Sequence, residues 1–112
     1  MGTISYDGWA IEFDDVTMAH LHLVIMRLFR SQESFAMSWR EALKAGDGRS
    51  SIWLHPGGDI HFRFDGSRTP QISQPWIARL TESARSSRGL IVTDEAGEIV
   101  RSLGTNHVLR SR

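Results

Sequence analysis

Lys44-Ala45-Gly46-Asp47-Gly48-Arg49 is the string in this chain best suited to chemistry. A lysine close to an Asp-Gly pair could attack an α-phosphate and carry a nucleotide covalently, provided its amine were activated. Enzymes that work this way place one residue between lysine and aspartate; here Ala45 and Gly46 both stand between them. Lys44 is the single lysine, so no second ammonium is available to neutralise phosphate. The same residues also make an ordinary loop, because Asp-Gly favours turns.

The other reactive side chains are spaced against catalysis. His20 and His22 are two apart on an expected helix and point to different faces. His55 and His61 flank Pro56-Gly57-Gly58 and could approach each other across a hairpin, with Asp59 as a further donor. The ligand spacing of a zinc site is missing, so structural or surface histidines and no metal are expected. No Gly-x-Ser-x-Gly occurs, and Ser38, Ser50 and Ser51 have no identifiable base. Asp14-Asp15 suits a helix cap better than a pair of catalytic carboxylates. Gly46-Asp47-Gly48 lacks the spacing of a phosphate-cradling loop. Trp39, Trp53 and Trp76 could stack bases, but in a small chain tryptophans belong to the core, where each buries about 150–250 Å². No cofactor is expected.

Charge suggests a partner class. The 112 residues balance 13 basic against 13 acidic side chains. Arginine supplies every base except Lys44, and guanidinium suits bidentate contacts with phosphate or carboxylate. Residues 1–26 hold Asp7, Glu12, Asp14 and Asp15 and no base, so the middle of the chain is modestly positive. Lys44, Arg49, Arg63, Arg68, Arg85 and Arg88 are the candidate contacts for nucleic acid or phosphate. The plainer explanation is a solvated surface in an arginine-rich proteome.

The elements that would carry these residues follow from periodicity. Gly2–Tyr6 and Trp9–Phe13 alternate around Asp7-Gly8, which gives a β-hairpin. Leu21, Val24, Ile25 and Leu28 form a buried stripe on a helix over about 16–30. Met18, Leu23, Met26 and Phe29 widen its apolar surface, so the helix is either central or has a second apolar face covered by another subunit. Ser34–Trp39 reads as a strand. Ile52–Leu54 and Ile60–Phe64 read as a second hairpin around Pro56-Gly57-Gly58-Asp59. A second helix runs from Gln74-Pro75 to Arg88 with Gly89 as its cap, burying Trp76, Ile77, Leu80 and Ala84. Leu90–Thr93 is a last strand, with Glu98–Val100 able to pair back. The order β-β-α-β-β-β-α-β predicts an α+β fold, a mainly antiparallel sheet of about five to six strands with two helices.

Residues 1–100 are expected to form one domain, and 101–112 a partly mobile tail. No cysteine is present, which excludes disulfides and thiol chemistry. The start lacks a secretory pattern, and the Leu21–Phe29 run falls short of the about 20 residues a membrane helix needs. A cytoplasmic protein without membrane contact is expected.

Several strings resemble a known group: Met1-Gly2-Thr3-Ile4-Ser5-Tyr6-Asp7-Gly8, Ile11-Glu12-Phe13-Asp14-Asp15, Glu33-Ser34-Phe35-Ala36-Met37-Ser38-Trp39, Gly46-Asp47-Gly48-Arg49-Ser50-Ser51-Ile52-Trp53-Leu54 and Ser86-Ser87-Arg88-Gly89-Leu90-Ile91-Val92. They resemble small actinobacterial proteins of unknown function that often carry the automatic label "ATP-dependent DNA ligase". The likeness covers about residues 1–95. It implies a cytoplasmic stand-alone domain and brings no established activity or catalytic residues.

The sequence therefore points first to a binding or interaction module without catalytic machinery, working as a homodimer through the wide helix and uncovered sheet edges. The alternative is a DNA- or nucleotide-binding accessory domain that uses the arginine-rich surface. Self-adenylation at Lys44 ranks last.

Overall fold

Asp7 and Gly8 close the first hairpin with positive φ values of 51° and 85°, the backbone of a tight two-residue turn. β1 (Gly2–Tyr6) and β2 (Trp9–Phe13) pair antiparallel, with Ile4 opposite Ile11. The computed structural model describes residues 1–107. α1 (Asp15–Arg30) follows at once, because the Asp14 carboxylate accepts the Thr17 N–H at 2.8 Å and caps the helix. Arg27 and Arg30 fall in its last turn, where cations suit the helix dipole. The Leu21, Val24, Ile25 and Leu28 stripe is buried as its spacing requires. Met18 and Phe29 are buried as well, whereas Val16, Leu23 and Met26 stay partly exposed.

β3 (Phe35–Arg40), a short 3₁₀ turn (Leu43–Ala45), β4 (Arg49–Leu54) and β5 (Ile60–Phe64) come next. α2 (Gln74–Arg85), β6 (Leu90–Ile91) and β7 (Gly104–His107) complete the described chain. The architecture is α+β, as the element pattern predicts. The strands form two sheets rather than one: a four-stranded sheet in the order β5-β1-β2-β7 and a three-stranded sheet in the order β4-β3-β6. Between the named strands all pairings are antiparallel except β3 with β6.

The expected β4–β5 hairpin does not form. β4 pairs with β3, and β5 crosses to pair with β1, placing Phe62 opposite Ile4 and Ile60 opposite Tyr6. Residues 55–59 do turn, with the Gly58 N–H on the His55 carbonyl at 3.0 Å. They turn a corner between sheets, and Gly58 lies so close to the Tyr6 ring that a side chain there would overlap it. α2 ends at Arg85, three residues before the expected stop, because Ser86 takes an extended backbone. Residues 101–107, assigned to a tail for want of any period, belong to the fold. Ser102 is buried, and β7 pairs with β2. Residues 108–112 of that expected tail lie outside the described residues.

The inner faces of both sheets and the buried sides of both helices share one core. Phe13 of one sheet meets Trp39 of the other edge to face, with centroids 6.3 Å apart. His20 joins the helices. It stacks on Trp76 at 3.9 Å, its Nδ1 lies 2.7 Å from the Val16 carbonyl, and its Nε2 accepts the Ser73 N–H at 2.9 Å. These contacts select the tautomer with its proton on Nδ1. The histidine is therefore a satisfied core residue. No helix among the described residues is long and apolar enough to cross a membrane.

Candidate functional site

Strand alternation builds one solvent-facing surface on the β4-β3-β6 sheet. β3 turns Phe35, Met37 and Trp39 inward, and Ala36, Ser38 and Arg40 outward. β4 turns Leu54 inward, and Arg49, Ser51 and Trp53 outward. The antiparallel register sets Ala36 opposite Trp53, Ser38 opposite Ser51 and Arg40 opposite Arg49. The two serine hydroxyls bond each other at 2.8 Å.

Trp53 dominates this surface. Its exposure is 60%, against 3% for Trp39 and 3% for Trp76. The expectation that the tryptophans fill the core thus holds for those two and fails for Trp53, whose neighbour across the strand is only an alanine. Trp53 lines two clefts. One, of about 540 Å³, includes Ala36, Arg85, Ser86, Ser87 and Gly89. The other, of about 910 Å³, includes Tyr6, Asp7, His55, Asp59, His61 and His107. His55 and His61 share that second cleft although no hairpin joins their strands. Among the described residues, no group of three histidines or carboxylates is placed to hold a metal ion. No imidazole among them hydrogen-bonds a serine hydroxyl.

Arg40 and Arg49 are like charges directly opposed on one sheet face, an unfavourable pairing unless an anion lies nearby. Asp47 answers only part of that charge. It accepts from Arg101 at 2.8 Å and Arg40 at 2.7 Å, and these two bonds hold its carboxyl below the usual range. Arg49 makes no ion pair among the described residues. Behind this face, burial pushes the Glu41 carboxyl upward, but hydroxyl donors outweigh it and hold the group low. Those donors are Ser50, Thr105 at 2.8 Å and Ser102 at 3.3 Å. Glu41 thereby ties β7 to the β3–β4 connection.

The candidate phosphate contacts divide between the sheets. Arg49 stands on β4, Lys44 on the 3₁₀ turn leading into it, and Arg88 beside Gly89 in the segment entering β6. Arg85 lines the smaller cleft, but Glu33 holds it through bonds of 3.0 and 2.9 Å. Arg63 lies on β5 against Asp65 at 3.8 Å, and Arg68 is in the following loop. None of the four principal clefts is lined by two of these six cations. Asp47 is engaged by two arginines, so it does not serve Lys44. Sequence reasoning missed Arg40 and the bareness of Trp53. The Arg49-Ser50-Ser51-Ile52-Trp53-Leu54 alternation was the available signal, since it puts arginine, serine and tryptophan on one side.

A family model described as a domain of unknown function (DUF7882) matches residues 1–95. No curated protein and no solved structure matches the chain. The matched span holds both helices and the whole Trp53 face, and it stops before β7. With 1–95 of 112 residues covered, the chain belongs to the DUF7882 family, whose function is unknown.

Proposed function

We propose that this chain is a single-domain cytoplasmic binding module without bond-making machinery, working as a homodimer joined along β4. One observation carries the pairing: β4 ends the β4-β3-β6 order, so among the described residues one side of its six residues has no strand partner. It contains no proline, and its one charge, Arg49, stands at its first position, so the rest of the edge is a template for a second copy. Joining two β4 strands uses backbone groups and leaves the Trp53 face open on both protomers.

Light scattering after size exclusion tests the assembly. The expected mass is twice the 12.7 kDa of one chain. Ser51→Lys puts a charge on the edge strand and is expected to give a monomer. Leu23→Lys alters the exposed side of α1 and is expected to leave the dimer intact. A wild-type monomer at high concentration would remove the homodimer. A dimer dissolved by Leu23→Lys but not by Ser51→Lys would move the contact to the helix.

A second reading, nucleic-acid binding, is favoured by the bare Trp53 ring sharing its sheet face with Arg40 and Arg49.

A further inference from the structure

We propose that the outward face of β3 and β4 takes single-stranded nucleic acid, with a base stacked on Trp53 and the phosphates held by Arg49 and Arg40. This rests on that second reading and names its ligand and contacts. Three features of the face converge on it.

The first is the ring. Trp53 is an exposed indole opposite Ala36, so a planar group can cover it without displacing another side chain. Every base offers such a plane, and stacking on an aromatic needs no particular sequence. The second is the opposed guanidinium pair. Asp47 serves Arg40 and Arg101 and leaves Arg49 without a counter-charge among the described residues. A phosphate between Arg40 and Arg49 would supply it, with the two-pronged geometry that guanidinium favours. The third is spacing. Trp53 and Arg49 lie four residues apart on one strand and one face, about 13 Å at the rise of a β-strand. A chain lying along β4 would thus meet ring and cation in succession. Ser38 and Ser51 lie between them as hydroxyl partners.

Charge on either side sets the path. Asp7 and Asp59 border the larger cleft and repel phosphate there. Arg88 adjoins the Gly89 end of the smaller cleft, and Lys44 precedes β4, so these two cations lie on the β4-β3-β6 side, while Arg63 and Arg68 lie by β5. A duplex keeps its bases stacked on each other and offers no free ring plane to Trp53, so the surface selects single strands.

The test is a titration of the full chain with a short oligothymidylate, its duplex counterpart and inorganic polyphosphate, followed by anisotropy across a salt series. Wild type is expected to bind the oligothymidylate more tightly than the duplex, with affinity falling as salt rises. Trp53→Ala is expected to weaken oligothymidylate binding about tenfold or more and to leave polyphosphate binding unchanged. Arg49→Ala is expected to lower the salt slope by about one, and Arg49→Lys to restore part of it. No binding at low salt, equal affinity for the duplex, or oligothymidylate binding untouched by Trp53→Ala would each overturn the proposal. Thermal melts of the three variants report whether the fold is intact. Mass measured on the same samples keeps the claims apart: a dimer that binds no oligonucleotide removes this ligand alone, and a monomer that binds it removes the homodimer alone.

Discussion

Trp39→Ala is expected to cost about 3–5 kcal/mol of folding stability, the range for removing a large buried aromatic. Trp53→Ala, the same change one strand away, is expected to stay within about 0.5 kcal/mol. The contrast is positional. Trp39 is 3% exposed and lies between the sheets. Its ring meets Phe13 edge to face, and its Nε1–H donates to Thr105 Oγ1 at 3.3 Å. Removing it opens a void where the sheets meet and frees a hydroxyl of the β7 network. Trp53 gives most of its surface to water, so little is lost on folding when it goes. Urea unfolding of both variants measures the difference. Equal destabilisation would show that Trp53 is held in the fold and would weaken its assignment as a binding platform.

Gly89→Ala is expected to lower stability by about 2–4 kcal/mol, combining the left-handed backbone penalty with steric overlap. Gly89 has φ +77°, and a Cβ there would lie 2.6 Å from the Ala36 carbonyl oxygen. That oxygen is backbone and cannot swing aside. The chain passes this point to bring β6 alongside β3, with Leu90 beside Met37. The Ser83 hydroxyl closes the approach by donating to the Gly89 carbonyl at 2.8 Å. Gly48→Ala is the control, since no atom lies within 4 Å of its added methyl, and its expected change is within about 0.5 kcal/mol. Unfolding midpoints of the two variants check the pair. A Gly89→Ala midpoint equal to wild type would mean that the close pass against β3 relaxes freely.

The features legible in the sequence are those fixed by neighbours along the chain. Asp7-Gly8 demands its turn, Asp14 caps α1, and a period of 3.6 marks the buried sides of both helices. The division into two sheets was not legible. Pro56-Gly57-Gly58 signals a turn equally well for a hairpin and for a corner, and the choice rests on Ile60, Phe62 and Phe64 finding β1. β7 was hidden because Gly104–His107 has no alternation; backbone pairing with β2 and Thr105 bonding to Glu41 hold it. The apolar excess of α1 was half explained: Met18 and Phe29 enter the core, while Leu23 and Met26 remain at the surface. Of the candidate cations, Arg49 was placed on the open face by alternation alone. Arg85 was named without its partner, because the Glu33 pairing spans 52 positions of sequence. Composition favours burial of tryptophan, and only the place of Trp53 beside Ser51 and Arg49 shows which way it faces.

Mapping backbone amide shifts of the full chain during titration with a short oligothymidylate tests the recognition surface most directly. The expected result is a continuous set of perturbed amides over residues 36–40, 49–55 and 86–91, with the Trp53 indole N–H moving furthest. Perturbations gathered instead on the outer side of α1 or on β1, β2 and β5, with Trp53 unmoved, would contradict it.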